Sequence, residues 1–142
     1  MDRNLQILGL AKKAGLLAVG CDAAGAAARK GETKLIISAS DASERAFRNA
    51  RINADAGGAM VIVVPYTMFD LGTVAGRGSP GTVAFLDTGL AVRFLQGLAE
   101  TQPDPFGKLW EFLEQTANAQ EESEKRAPKG KSTLPGKRRT MQ

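Results

Sequence analysis

Hydrophobic and polar positions along the first hundred residues alternate between helical and strand-like spacing. Apolar residues in the range 5–14 recur every three or four positions, which predicts a helix. Gly15 is expected to close this helix, because glycine tolerates the positive φ of a helix end. A second helix is expected over residues 20–31, with Asp22 as its N-cap.

The same pattern continues to about residue 98. Short apolar runs over 34–38, 60–64 and 82–86 predict strands in a covered sheet. Helices are expected over about 41–52 with Ser40 or Asp41 as the cap, over 68–74 with a capping box from Thr67 and Asp70, and over 88–98 capped by Thr88. A loop is expected at 53–58. Strands that alternate with helices predict an α/β domain with helices on both faces of the sheet.

The character of the sequence changes after Gln102. Five apolar residues fall on one helical face there: Phe106, Leu109, Trp110, Leu113 and Ala117. Such a helix either packs on the domain or binds a partner protein. Residues from 127 onward are dominated by Pro, Gly, Lys, Arg and Ser, a composition typical of disorder. We therefore expect a domain over 1–98, an acidic linker with an amphipathic helix over 99–126, and a basic tail over 127–142.

Charge is segregated along the chain, whose formal net charge is +4. Residues 99–124 carry one basic and seven acidic side chains, whereas residues 125–142 carry seven basic and no acidic ones. A basic surplus favours polyanionic partners, and a basic tail adds phosphate affinity without sequence readout.

Several classes of function are disfavoured by the residues that the sequence lacks. The absence of histidine removes Ser-His-Asp and Cys-His catalysis and the commonest zinc ligand. A single cysteine cannot form an internal disulfide, which fits a reducing compartment. No apolar run approaches the roughly 20 residues of a membrane span, and the first residues do not resemble a signal peptide. We expect a cytoplasmic protein without cofactor, metal or enzymatic activity.

The segment 76–81 matches the dinucleotide-binding pattern G-x-G-x-x-G letter by letter. That mechanism needs a strand before the glycines and a helix after them, so that helix amides meet the pyrophosphate. Here a helix is expected before the segment and a strand after it, and Pro80 removes one amide donor. We interpret the segment as a flexible loop beside a basic surface, with Arg77 at its tip.

From about Asn4 to Leu98 the chain resembles the kink-turn-binding ribosomal protein superfamily (the L-seven-Ae and L-thirty-e type), and within it the bacterial YlxQ-like branch. The resemblance is carried by the segments 8–15, 29–31, 34–37, 41–43, 70–72 and 75–76, together with Gly20, Asp87 and Gly89. It implies a three-layer α/β/α sandwich with a small central mixed sheet. It also implies RNA binding, ribosome- or translation-associated, without a catalytic step.

Residue-by-residue transfer from this family shows where the chain departs from it. In the family the second helix begins with Gly, a small residue, Asn and Glu, followed three positions later by Lys, and these groups read the sheared G·A pairs of a kink-turn. Gly20 and Cys21 match, whereas Asp22 replaces the Asn. Ala23, Ala26 and Met68 stand where the family has Glu, Lys and Lys. Alanine offers no polar contact and Asp cannot donate as Asn does, so recognition of kink-turn-like RNA is expected to be altered.

The expected partner is therefore structured RNA, for which ribosomal RNA is one candidate. The candidate RNA-binding residues are Lys12, Lys13, Gly20, Cys21, Asp22, Arg29, Lys30, Lys34, Arg77 and Gly78. An alternative function is a protein-interaction module on the same fold that has lost specific RNA readout, with a protein partner bound through the helix around Trp110. No membrane contact is expected, and the sequence leaves the oligomeric state open.

Overall fold

The computed structural model describes residues 2–76 and 80–126, and the side chains of its last helix up to Asn118. The elements are α1 Arg3–Lys13, β1 Leu17–Val19, α2 Cys21–Arg29, β2 Leu35–Ser38, α3 Glu44–Gly57, β3 Met60–Val63, α4 Met68–Ala75, β4 Thr82–Phe85, α5 Thr88–Thr101 and α6 Pro103–Arg126. The last helix is interrupted at Asp104, whose backbone is not helical. Over the described residues, every helix is too short or too polar to cross a bilayer.

Four strands form a mixed sheet in the order β1-β4-β2-β3. β4 runs antiparallel to both β1 and β2, and β2 runs parallel to the edge strand β3. The mixed sheet expected from the sequence is thus confirmed. The strand β1 was missed, because its three residues lie between two glycine turns and are too short to show a period of two.

Alternate residues of each strand face opposite layers of helices. Leu35 and Ile37 point toward a large core shared with α1, α4, α5 and α6. Ile36 and Ala84 point the other way, toward a smaller core built largely from alanines of α2 and α3. The expected three-layer α/β/α sandwich is therefore confirmed.

Small residues bring α2 and α3 into close contact. Ala24 and Ala28 on α2 face Ala50 and Ala54 on α3, and all four are at least 95% buried. A Cβ added to Gly57 would overlap the carbonyl oxygen of Ala28. Close packing of this kind leaves only the outer rims of the two helices available to carry longer side chains.

The helix starts are confirmed in part. The capping box of Thr67 and Asp70 is present, with both reciprocal hydrogen bonds. The observed N-caps differ from the expected ones in three helices: Gly20 replaces Asp22 for α2, Ser43 replaces Ser40 or Asp41 for α3, and Asp87 replaces Thr88 for α5. Asp41 does not cap α3. Its carboxylate accepts a hydrogen bond from the amide of Met68, the first residue of α4 (2.8 Å).

The expected loop at 53–58 is wrong, because α3 continues to Gly57. Its final turn buries Ala54 against α2, and Gly58 then ends the helix in the left-handed region. Tertiary packing therefore overrides the weak helix propensity of Asn, Asp and Gly in this segment.

The amphipathic segment after Gln102 packs on the domain. Phe106 and Leu113 are 4% and 2% exposed and belong to the same core as α5, while Leu109 and Trp110 are partly buried beside them. Phe112 lies on the other side of α6 and is 55% exposed. The division of the chain at residues 98 and 126 stays a prediction, and the segment 127–142 lies outside the described residues.

Candidate nucleic-acid interface

The first turn of α2 is set by a backbone conformation that only glycine adopts readily. Gly20 has φ +97° and ψ 159°. Its amide donates to the carbonyl oxygen of Thr82 (2.8 Å), and its carbonyl oxygen accepts from the Ala24 amide (2.9 Å). The amides of the first turn have no partner within the helix, so this terminus presents donors and partial positive charge.

Three other chain segments are tied to the same end of the sheet. The Ala39 amide donates to the Gly81 carbonyl oxygen (2.9 Å), and the Ser40 amide donates to the Tyr66 carbonyl oxygen (2.8 Å). The Asp41 carboxylate adds the bond to Met68 described above. We call this region, formed by residues 20–22, 39–43, 66–68 and 80–82, the loop end. Its backbone is fixed by cross-links between loops that are distant in sequence.

The side chains of the loop end are not cationic among the residues described. Cys21 is exposed, and its thiol lies 3.5 Å from the hydroxyl oxygen of Thr82, at hydrogen-bonding distance for sulfur. Asp22 is also exposed, and Asp41 adds a second carboxylate. Arg77 and Gly78, which the sequence analysis assigned to RNA binding, lie outside the described residues. The described part of the loop end thus offers acceptors and backbone amides rather than lysine or arginine.

The remaining candidates lie at the opposite end of the sheet. Lys12 and Lys13 end α1, and the chain then enters β1 where Leu17 pairs with Phe85, the last residue of β4. Lys34 precedes β2, whose first residue pairs with the same Phe85. Arg29 and Lys30 end α2 on this side. We call these five residues the basic end.

The structure therefore divides the predicted site residues into two groups. Gly20, Cys21 and Asp22 stand beside the start of β4, and the five cations stand beside its end. A four-residue strand covers about 10 Å, because each residue advances about 3.3 Å. Lys13 and Gly20 are close in sequence, but β1 carries the chain across the sheet between them.

A groove of about 320 Å³ runs along the rims of α2 and α3. Its lining residues are Cys21, Asp22, Arg29, Asn49, Ile52 and Asn53. The Arg29 guanidinium donates from Nη1 to Oδ1 of Asn53 (3.0 Å). A Cβ at residue 25 would lie 2.6 Å from Nδ2 of Asn53, so Gly25 provides room for this amide.

Sequence reasoning missed the three groove residues on α3. Asn49 and Asn53 are four positions apart and Ile52 lies between them, a spacing that places all three on one helix face. Asn49 and Ile52 lie within the predicted helix, but Asn53 falls in the segment predicted to be a loop, so the shared face was not apparent.

The positions that depart from the family pattern are open to solvent to different degrees. Ala23 is exposed on the first turn of α2, whereas Ala26 and Met68 are half-buried. The Sδ atom of Met68 lies 3.4 Å from the position of a Cβ at Gly81, and the Ala42 Cβ lies 3.3 Å from it. Met68 thus packs between loops of the loop end and presents no charge there.

The loop end contains a buried tyrosine, Tyr66. Tyr66 is 7% exposed, and its hydroxyl oxygen accepts a hydrogen bond from Nδ2 of Asn4 (3.2 Å). Burial raises the pKa of Tyr66 to about 12, because the phenolate would lose its hydration. The side chain is neutral at physiological pH and acts as a structural contact.

Comparison with known proteins identifies the fold. Matching solved structures comprise 82 chains. One is a protein of unknown function from Bacillus halodurans, 24% identical, which covers 68% of this chain and 97% of that chain with a TM-score of 0.62. Another is the 15.5 kD RNA-binding protein of Giardia lamblia, which is 14% identical. This match covers 68% of the present chain and 82% of the Giardia chain, with a TM-score of 0.53. No family model matches the sequence, and no curated protein was found to be similar.

Proposed function

We propose that this protein binds RNA and that one RNA molecule contacts both the loop end and the basic end. The observation that carries this function is the loop end itself, where the positive φ of Gly20 and cross-linked loops fix the first turn of α2, whose residues 21–23 are exposed. Helix N-termini of this kind bind phosphate and other anions. The likeness in fold to an RNA-binding protein of Giardia lamblia supports this choice of ligand.

The basic end supplies the second element of the proposed function. Lys12, Lys13, Arg29 and Lys30 are exposed and Lys34 is half-buried, with Glu32 as a nearby acidic residue. Clustered cations attract the RNA backbone without regard to base sequence. We infer non-enzymatic binding, since the sequence contains no histidine and no visible nucleophile–base pair.

The finer proposal is a YlxQ-like protein associated with translation that recognises structured RNA with altered specificity. Asp22 in place of the family's Asn, and alanine in place of its Glu and Lys, remove most of the polar side chains expected to read a kink-turn. Binding is then expected to depend on the RNA backbone more than on sheared G·A pairs.

Three RNAs test this function: a kink-turn, the same stem with its G·A pairs made Watson–Crick, and a single strand. Each is titrated against the full chain at two salt concentrations, because RNA affinity is interpretable only with its salt dependence. We expect binding to all three, with a kink-turn preference below about 100-fold. Retention no better than that of an uncharged control protein at about 50 mM salt would overturn the proposal.

A protein-interaction module is a second candidate, favoured by two exposed aromatic side chains. Phe69 on α4 is 72% exposed and Phe112 on α6 is 55% exposed. Deletion of α6 is a poor test, because it would remove Phe106 and Leu113 from the core. Phe69→Ser and Phe112→Ser, with Gln115→Ser as a control on α6, test it without opening the core. Partner capture that is lost only in the Phe variants, together with absent RNA binding, would favour this alternative.

A further inference from the structure

The groove between α2 and α3 connects the two ends of the candidate interface. Cys21 and Asp22 line it at the loop end, and Arg29 lines it at the basic end. The span from Cys21 to Arg29 is about 12 Å, because an α-helix rises about 1.5 Å per residue. A strand of RNA held at both ends of the sheet therefore has a direct path through this groove.

The groove has the chemistry of a nucleobase site. Ile52 is 60% exposed in a lining that is otherwise mostly polar, so it offers an apolar surface for the face of a base. Asn49 is exposed and its amide both donates and accepts. The Arg29 guanidinium is held by Asn53 and keeps further N–H groups for a phosphate oxygen.

Asp22 is the groove residue whose chemistry distinguishes one base from another. Its carboxylate is acceptor-only, and it has no hydrogen-bond or ion-pair partner within residues 2–76 and 80–126. Guanine presents two adjacent donors on its Watson–Crick edge, the N1–H and the exocyclic amino group, which match the two oxygens of a carboxylate. Adenine, cytosine and uracil each lack this pair of donors. An amide N–H of Asn49 on the opposite wall is suited to O6 or N7 of the same guanine.

We propose that the groove holds an unpaired guanosine of the bound RNA, an inference that rests on the RNA binding proposed above. Asp22 accepts from the Watson–Crick edge, Asn49 donates to the opposite edge, Ile52 covers one face of the base, and Arg29 contacts a phosphate. The guanosine sits along the outer rim of α2, between Asp22 of the loop end and Arg29 of the basic end.

The test uses the full chain and single-stranded RNAs of identical length that differ at one central base. The probes are a uridine oligomer with a central guanosine, inosine or adenosine, and binding is measured by fluorescence anisotropy at one salt concentration. We expect a preference of about 10-fold or more for guanosine over adenosine, in the range typical of a bidentate base contact. Inosine, which lacks the exocyclic amino group, is expected to fall between them.

Variants assign this preference to the groove. Asn49→Ala, Ile52→Ser and Asp22→Asn should each reduce the guanosine preference to about 2-fold or less. The asparagine control Asn118→Ala, on an exposed part of α6, should keep the full preference. For Asn49→Ala and Ile52→Ser, the affinity for the adenosine oligomer should stay unchanged, which separates base recognition from general loss of RNA binding.

The possible failures are distinguishable. Equal affinity for the three oligomers, or binding to the structured RNAs alone, would overturn the guanosine site and leave RNA binding intact. Absence of binding to any of them and to the structured RNAs would overturn RNA binding itself. Displacement of the guanosine oligomer by free GMP at concentrations near the RNA's own Kd would mean a free-nucleotide site and would contradict a site for guanosine within RNA.

Discussion

The loop end and the basic end differ in what holds them and in what they offer to RNA. At the loop end, hydrogen bonds between distant segments fix the backbone, and the exposed side chains are Cys21, Asp22, Ser40, Asp41 and Ser43. At the basic end, cations project from helix ends and turns, and the one described side-chain contact is that of Arg29 with Asn53. Among the described residues, the loop end has a fixed backbone without positive charge, and the basic end has positive charge with few fixed side chains.

In the proposed RNA interface, fixed shape and positive charge therefore lie at different ends of the sheet. Phosphate contacts supply affinity and position, whereas fixed donors and acceptors supply discrimination. Substitutions at the basic end should therefore change affinity and its salt dependence. Substitutions at the loop end should change stability and the choice of RNA.

The largest effect is expected from removing four lysines of the basic end together, Lys12, Lys13, Lys30 and Lys34, each to Ala. RNA affinity should fall by about 100-fold, and the slope of log affinity against log salt should fall by about 3, because each phosphate contact contributes about 0.7–0.9. All RNAs should be affected similarly.

The matched control removes four cations elsewhere: Arg45, Arg48, Arg51 and Arg93, each to Ala. The net charge changes equally, so the control separates a local effect from an overall loss of charge. Equal loss of affinity in the two quadruple variants would contradict the basic end.

Gly20→Ala should produce the next largest effect. No atom lies within 4 Å of a Cβ at this position, so the penalty comes from the backbone conformation. The free energy of unfolding should fall by about 1–3 kcal/mol, and discrimination between structured and single-stranded RNA should weaken. Chemical denaturation and RNA titration measure the two effects.

Gly31→Ala is the matched variant at the basic end, with φ +75° and equally open surroundings. It should destabilise by about 1–2 kcal/mol because alanine is strained in the left-handed region, and RNA discrimination should be kept. A larger loss of discrimination at Gly31 than at Gly20 would reverse the roles assigned to the two ends.

Tyr66→Phe tests the hydrogen bond between the buried Tyr66 of the loop end and Asn4. At neutral pH it should destabilise the fold by about 1–2 kcal/mol, because the Asn4 amide loses its acceptor in a buried setting. The pKa of Tyr66 is raised from 10.0 to about 12 in the fold. The contribution of the neutral phenol is therefore complete below pH 10 and is lost as the pH rises toward 12.

Denaturation curves of the wild type and Tyr66→Phe between pH 9 and 12 check this sign. Relative to the variant, the wild type should lose about 1.4 kcal/mol of unfolding free energy per pH unit above pH 10. A pH dependence that is the same in both proteins would show that Tyr66 does not titrate with the raised pKa.

The smallest effect is expected from Asp41→Ala. It removes one charge-assisted hydrogen bond, to the Met68 amide, and should destabilise the fold by about 1 kcal/mol. The preference among RNAs should weaken with little change in salt slope. Asp55→Ala, at an exposed aspartate on α3, is the control for loss of a negative charge.

Much of the fold was predictable from local patterns. Apolar runs marked β2, β3 and β4, and the Thr67–Asp70 capping box marked α4. The strand β1 and the last turn of α3 were missed, because their structure depends on pairing with β4 and on contact with α2. Such tertiary interactions leave no periodic signal in a short segment.

The candidate site was less predictable than the fold. The sequence indicated which residues are basic and where glycine begins α2, but not that Lys13 and Gly20 lie at opposite ends of the sheet. Their separation follows from the direction of β1, a strand that the pattern did not reveal. The groove residue Asn53 depended in turn on the true length of α3, whereas Asn49 lay within the predicted helix.

The most direct test of an RNA that contacts both ends is an NMR titration of the isotope-labelled full chain with one structured RNA. The backbone amides of Gly20 and Ser40 report on the loop end, and those of Lys13 and Lys34 report on the basic end. We predict that all four shift together and fit a single Kd. Shifts confined to one end, or different affinities for the two ends, would contradict an RNA that spans them.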